Sequence, residues 1–325
     1  MIDSLEYKVV CVCLFLFLCL LVSYDVYGLC IYGCVVSKVI HMPKSSYTWY
    51  NKGIEMLESG GISMLMFMQV QQPKTVEEAH ALMVKQKMAP ILAGGCWTRL
   101  GNRKWPMVID LSELGLRYIE EEDTEYRIGA MATQRDVEVY EPFKTFCGGV
   151  LLKAVKDILG VQFRSMATMG GSVAAKFGFS DIIPALLALR AEVRLFEAGR
   201  MPIEQYLTYG TRDLLLEIIV PKQEVPVAIE ALRKSTSDFP YLTGSARLDD
   251  QGYSVYIGCR PGKPALATKA CQMINEKGLD ALDEAVTLIQ EELSFQSNSH
   301  AGAEYRLEMA KNMFKRLVKE VAQWK

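Results

Sequence analysis

A two-domain chain of mixed α/β (α+β) class is predicted by three observations. Helix-like and strand-like runs alternate from about residue 73 to residue 220. The pattern changes after a polar link at Gln223 and Glu224, and a strand followed by helix-spaced segments fills the remainder. At 325 residues, 50% of them apolar, the chain is long enough for two domains with cores of their own.

The segment from Pro73 to Ala79 opens a helix, because Thr75 and Glu78 have the spacing of a capping box that satisfies the first orphan N–H groups; the helix should end near Lys87. Short β-like runs follow at Pro90 to Leu92, Met107 to Leu111 and Tyr126 to Met131. From Gly149 to Leu159, apolar residues at Val150, Leu151, Ala154, Val155 and Ile158 have helical spacing. Asp181 to Leu189 reads as a further helix, Ala191 to Leu195 as a strand, and Leu214 to Val220 as a strand stopped by Pro221. Beyond the link, Tyr253 to Ile257 reads as a strand, and Ala265 to Glu276, Leu279 to Leu293 and Ala303 to Trp324 as helices. The expected domains are residues 64–222 and 235–325.

Composition excludes several function classes. The 36 basic and 38 acidic residues give a net charge of −2 with no basic stripe among aromatics, which argues against nucleic acid as a partner. Cys11, Cys13, Cys19, Cys30 and Cys34 cluster near the start, whereas Cys96, Cys147, Cys259 and Cys271 stand singly. With no C-x-x-C pair and 3 histidines, a zinc or iron–sulfur site built from this chain alone is disfavoured, and a reducing, cytoplasmic setting fits best.

Residues 1–63 are unlike the rest. The apolar run from Val9 to Val22 falls short of the roughly 20 residues that span a bilayer, and its flanks do not suit a signal peptide. We read the segment as an over-extended start, with translation beginning near Met64. Glu58-Ser59-Gly60-Gly61 is what a purine-rich ribosome-binding sequence would spell in frame. The competing reading is a membrane anchor from Val9 to about Val36, which would have to hide Asp25.

Two short segments carry the chemistry: Ala93-Gly94-Gly95-Cys96-Trp97-Thr98, and Thr168-Met169-Gly170-Gly171-Ser172 followed by Asp181. Paired glycines let backbone N–H groups converge on an anion such as a diphosphate, although a lone pair is more often a tight turn, as Gly148-Gly149 is expected to be. Neither segment is G-x-G-x-x-G and no P-loop occurs, so neither a Rossmann-type nor a P-loop phosphate site is available.

The flanks of these segments resemble the FAD-binding subunit of molybdenum hydroxylases, the xanthine dehydrogenase and carbon monoxide dehydrogenase flavoprotein family. Five landmarks come in order: Ala93-Gly94-Gly95, Val108 to Ser112, Arg127 to Thr133, Gln162 to Ser172, and Asp181 to Leu189. Gly258 to Pro264 and Ala303 to Arg306 are similar to the family's C-terminal domain, so the resemblance runs from about Phe67 to Val321. Two departures stand out. Cys96-Trp97-Thr98 replaces a polar set such as Thr-Asp-Leu, and Ser172 stands where Asn or Asp is common.

The resemblance implies a two-lobed, PCMH-type (vanillyl-alcohol-oxidase-like) FAD-binding domain followed by a small antiparallel sheet with helices. FAD would be held through backbone N–H groups of Ala93, Gly94, Gly95, Cys96, Trp97 and Thr98 and of Thr168, Met169, Gly170, Gly171 and Ser172, with the Thr168 and Ser172 hydroxyls as further donors. Asp181 would accept from the adenosine or diphosphate side, or serve only as a helix N-cap. Leu215 and Arg233 fall where the family has a backbone contact and a basic residue near the flavin, and Ile158 or Leu159 could pack against the ring or be ordinary core. Cys96 reads as a small loop residue rather than a reactive thiol.

By the same resemblance the chain would relay electrons from a molybdenum-cofactor large subunit and a 2Fe-2S small subunit through FAD to NAD or another acceptor. The flavin does the redox work, so no catalytic side chain is expected. His80 should face solvent. The alternatives are a flavin-free scaffold subunit, which the altered Cys96-Trp97 loop keeps open, and a stand-alone flavin oxidoreductase of the same fold, against which the C-terminal similarity argues.

Overall fold

The computed structural model describes residues 65–101 and 103–324; the readings made of residues 1–63 lie outside them. Leu65 onward forms one compact unit. Its first lobe contains β1 (Met66–Phe67), β2 (Val70–Gln71), α1 (Val76–Lys85), β3 (Ile91–Leu92), β4 (Lys104–Trp105) and β5 (Val108–Asp110). All pairings here are parallel: β1 with β4, and a sheet in the order β2-β5-β3.

Helix α1 starts as anticipated, with the Thr75 hydroxyl accepting from the Glu78 N–H at 3.2 Å. The Glu78 carboxylate, however, accepts from the Lys74 N–H, one residue before the cap. At the other end, the Arg212 guanidinium donates to the carbonyls of Met83, at 3.3 Å, and Ala89, at 2.6 Å. A cation at a helix C-terminus answers both the exposed carbonyls and the dipole. His80 is buried rather than solvent-facing, its ring stacked on Phe196 at 4.6 Å.

The second lobe contains β6 (Ile119–Glu121), β7 (Glu125–Gly129), α2 (Gln134–Val139), α3 (Val150–Val155), α4 (Val161–Arg164), α5 (Met169–Ala174), α6 (Ile182–Ala188), β8 (Glu192–Leu195), β9 (Gly199–Pro202), α7 (Ile203–Thr208) and β10 (Leu215–Pro221). The strands form an antiparallel sheet in the order β6-β7-β10-β8-β9. Central β10 is buried on both faces up to Val220, which is why it reads as an unbroken apolar run apart from Glu217. That carboxylate accepts from the Tyr118 hydroxyl at 2.5 Å and from Arg127 at 2.8 Å, and lies 2.9 Å from Arg194, partners that offset the cost of burying a charge. Gly148 and Gly149 both have left-handed φ, consistent with a turn.

The C-terminal part is an antiparallel meander of β11 (Val227–Leu232), β12 (Leu242–Asp249), β13 (Gly252–Gly258) and β14 (Ala265–Leu266). It is covered by α8 (Thr268–Lys277) and α9 (Ala303–Ala322), with Met313, Phe314, Leu317 and Val318 of α9 in its core. Strand β11 occupies the stretch expected as a linker, where Val227 and Ala228 alternate poorly with polar residues. Ala265 and Leu266 extend the sheet and do not begin a helix. The stretch from Leu279 to Glu292 is a succession of 3-10 and α turns instead of one helix. Leu282, Ala285, Val286 and Ile289 are still buried, so the apolar spacing was satisfied by a tighter winding. The winding brings the Glu292 carboxylate onto the N–H groups of Lys269 and Ala270, the first turn of α8, which has no side-chain cap of its own.

Candidate functional site

The two glycine segments meet, and a cavity of about 250 Å³ opens beside them. Strand β3 delivers the first. A Cβ on Gly94 would lie 1.9 Å from the Met166 carbonyl oxygen, so only glycine lets this loop touch the second segment. From there the chain turns away from the sheet. Among the described residues, the backbone N–H groups of Gly94, Gly95, Cys96, Trp97 and Thr98 donate to no protein acceptor, although all five residues line the cavity. Free N–H groups at a strand end are what an acceptor-only anion requires.

The second segment is built differently from expectation. Thr168 is the N-cap of α5, its hydroxyl accepting from the Gly171 N–H at 3.1 Å. The Met169 and Gly170 N–H groups donate to Ala132 and Ala130, and the Ser172 N–H donates to Thr168. The Ser172 hydroxyl donates to the Thr168 carbonyl at 2.7 Å. The backbone donors of Met169 to Ser172 are therefore engaged within the protein. Met169 and Gly170 also stand away from the cavity: Met169 is fully buried, and a Cβ on Gly170 would lie 2.6 Å from the Ala130 carbonyl oxygen. This glycine pair serves close packing against Ala130, while Thr168, Gly171 and Ser172 face the cavity.

Asp181 and Arg233 come together across the cavity wall at 2.6 Å, both side chains about 10% exposed. Asp181 occupies the N-cap position of α6 but caps nothing; the Ser180 hydroxyl takes the Ile183 N–H instead. Burial pushes the Asp181 carboxyl up to about 6, with Asp157 adding to the rise and Arg233 offsetting only part of it. The carboxylate is thus held for interaction with a ligand or its arginine, not for the helix.

Ile158 and Leu159 line the apolar side of the cavity, and Leu159 has a left-handed φ of 47°, a strained backbone for a branched side chain. Arg164 holds the turn. Its guanidinium donates to the Ile158 and Leu159 carbonyls at 3.1 and 3.3 Å and pairs with the Glu138 carboxylate at 2.9 and 3.0 Å. Leu215 does not reach the cavity; it is core, in β10. Cys96 is buried, its thiol directed at the Gly94 carbonyl at 3.7 Å, and burial raises its pKa, so it stays protonated.

Sequence reading missed the aromatic wall. The Trp97 ring lies 5.6, 5.3 and 5.7 Å from Phe177, Phe179 and Phe239. Phe239 comes from beyond the second-lobe sheet, so no local pattern announces the cluster. It also missed Gln134 and Arg164, single polar residues whose partners lie far along the chain.

A cavity with free N–H groups, a buried acid–arginine pair and an apolar end is a candidate cofactor site in a mixed α/β protein. Residues 66–223 match the FAD binding domain in molybdopterin dehydrogenase, and residues 228–321 match the CO dehydrogenase flavoprotein C-terminal domain. The chain belongs to this FAD-binding oxidoreductase family, and its cofactor is FAD. It is 28% identical over 273 residues to the carbon monoxide dehydrogenase medium chain of Afipia carboxidovorans, covering 76% of this chain and 94% of that one. It is 25% identical over 280 residues to the nicotinate dehydrogenase FAD-subunit of Eubacterium barkeri, covering 77% and 94%. Reconstituted CO dehydrogenase from Oligotropha carboxidovorans superimposes with a TM-score of 0.70 at 25% identity, over 78% of this chain and 96% of that chain. Among the described residues no helix is long and apolar enough to cross a membrane.

Proposed function

We propose that this chain is the electron-relay flavoprotein subunit of a multi-subunit molybdenum hydroxylase. It would take electrons that a molybdenum-cofactor large subunit removes from substrate and a 2Fe-2S small subunit carries, and pass them to NAD or another acceptor. The names borne by its relatives, a medium chain of one dehydrogenase and an FAD-subunit of another, support this reading. The observation that carries it is the row of five unpartnered N–H groups from Gly94 to Thr98.

These residues fit FAD. The N–H row would take the acceptor-only diphosphate, and Arg233, paired with Asp181, lines the same cavity. Ile158, Leu159 and the aromatic wall of Trp97, Phe177 and Phe179 exclude water and offer surface to flat rings. When bound, the flavin supplies two-electron and one-electron redox chemistry, and the protein supplies position and electrostatics. Arg164 keeps the strained Leu159 turn in place, so the apolar end of the cavity is set before anything binds.

The test is an absorbance spectrum of the purified full chain, followed by acid release and identification of any chromophore. Bands near roughly 370 and 450 nm with released FAD support the relay reading, and co-purification with molybdenum and iron–sulfur chains completes it. A colourless folded protein that takes up no added FAD overturns it.

A further inference from the structure

Gln134 stands where α2 begins, beside the cavity, and is 3% exposed. Its side-chain amide is oriented by a directional chain of hydrogen bonds. The Ser172 hydroxyl spends its proton on the Thr168 carbonyl at 2.7 Å, so at the 3.1 Å contact with Gln134 it can only accept, and Nε2 must be the donor. The amide oxygen Oε1 is thereby left as the unpaired end of the relay. It is buried and has no hydrogen-bond partner among the described residues. Arg194 Nε is also buried without a hydrogen bond, but it lies 2.9 Å from the Glu217 carboxylate; Gln134 Oε1 has no such compensation.

A buried amide oxygen without a donor is costly, and the usual resolution is a ligand or water that supplies one. The Gln134 N–H is already given to the Ala167 carbonyl at 2.8 Å, and Ala167 adjoins the Gly94 approach, so the side chain sits at the junction of the two glycine segments. We propose that Gln134 is a cofactor-positioning residue whose Oε1 accepts a hydrogen bond from an O–H or N–H donor of the bound flavin nucleotide. This rests on the flavoprotein reading above. An amide oxygen repels a phosphate, so Gln134 and the Gly94–Thr98 row discriminate: the row takes the diphosphate, and Gln134 takes a hydroxyl or ring N–H. Register along the cavity is then set by two contacts of opposite polarity.

The test uses the full chain stripped of flavin, with Gln134→Met as an uncharged replacement of similar length. FAD, riboflavin and ADP are titrated by fluorescence and calorimetry, and thermal unfolding is followed with and without FAD. FAD affinity is expected to fall about three- to tenfold, the loss of one hydrogen bond, while the flavin-free protein melts no lower than wild type because an orphaned acceptor has been removed. A fall seen with riboflavin places the donor on the flavin half, and a fall seen with ADP places it on the adenosine half. A structural glutamine would behave in the opposite way, lowering the flavin-free melting temperature and leaving FAD affinity within twofold, and that result overturns the proposal. Should Gln134→Met not fold, Gln134→Asn draws the amide back by one methylene; FAD affinity is again expected to fall about three- to tenfold, and an affinity within twofold of wild type overturns the proposal. If wild type binds no FAD, the flavoprotein reading itself falls; if wild type binds and both variants bind equally well, only this inference does.

Discussion

Gly94-Gly95 and Gly170-Gly171 look alike on paper and have opposite fates. A Cβ on Gly94 would meet Met166 of the second lobe, and one on Gly171 would come within 4.0 Å of Ala93 in the first, so each pair lies where the two lobes approach. The first leaves the five N–H groups from Gly94 to Thr98 without acceptors. The second lies in the first turn of α5, and its N–H groups bond to Ala130 and Thr168. A glycine pair is therefore free to cradle an anion only where the local fold supplies no acceptors for its N–H groups. Where a helix begins or a neighbouring strand runs alongside, the same two residues are packing devices.

The sharpest way to break this distinction is to place a methyl group on each pair. In Gly94→Ala the added carbon meets the Met166 carbonyl oxygen at 1.9 Å, and relief requires moving the loop that carries the free N–H groups. FAD affinity should fall more than about 100-fold, equivalent to over roughly 2.7 kcal/mol, together with a lower melting temperature. In Gly170→Ala the carbon meets Ala130 at 2.6 Å, away from the cavity. Stability should fall by about 1–3 kcal/mol for overpacking, with FAD affinity of the folded fraction within about threefold. Equal losses of FAD affinity in the two variants, read by titration at fixed temperature, would erase the distinction.

Arg164 tests the apolar end in the same terms. Arg164→Leu removes the donors to the Ile158 and Leu159 carbonyls and takes away one of the two arginines paired with Glu138. The expected cost is about 2–3 kcal/mol of stability, measured by urea unfolding. The Leu159 turn should also become accessible to proteolysis. A variant that unfolds like wild type would show that the turn holds itself.

Much of the fold was legible because its elements obey local rules. Thr75 and Glu78 marked the start of α1, Pro221 marked the end of β10, and the spacing of Val150, Leu151, Ala154 and Val155 marked α3. The misreadings share a cause in distant partners. His80 looked solvent-facing until Phe196 covered it, and Ala265 and Leu266 looked helical until β13 offered an edge. The site was half legible. Gly94 to Thr98, Asp181 and Arg233 could be found from order along the chain, whereas Gln134 and Phe239 carry no local pattern and acquire meaning only beside Ser172 and Trp97.

The Asp181–Arg233 pair sharpens the comparison through pH. The Asp181 carboxyl is raised to about 6 in the folded chain, from an ordinary value of 3.8, chiefly by burial. A raised acid favours the folded state below its unfolded value, and that contribution is lost as pH climbs through the folded value. In the flavin-free protein, then, Asp181 should cost on the order of 2–3 kcal/mol at pH 7 relative to pH 4. Other carboxylates, such as Glu217 and Glu138, shift downward and act in the opposite sense. The informative quantity is the difference between wild type and Asp181→Asn in urea midpoints from pH 4 to 7.5. Wild type should lose ground to the variant between about pH 4 and 6, and a flat difference would mean that Arg233 fully compensates the carboxylate.

The smallest effect is expected at Cys96, and its smallness is informative because Cys96 lies inside the N–H row. If the row works through backbone alone, the side chain there is free to vary as long as it is small. The thiol is buried, is directed at the Gly94 carbonyl, and has its pKa raised by burial, so it is a poor nucleophile. Cys96→Ala should keep FAD affinity within about twofold and change stability by less than about 1 kcal/mol. In wild type, iodoacetamide at pH 8 should modify Cys96 far more slowly than an exposed thiol. Strong loss of FAD in Cys96→Ala would instead assign the thiol a direct contact, and the first glycine segment would then act through side chains as well as backbone.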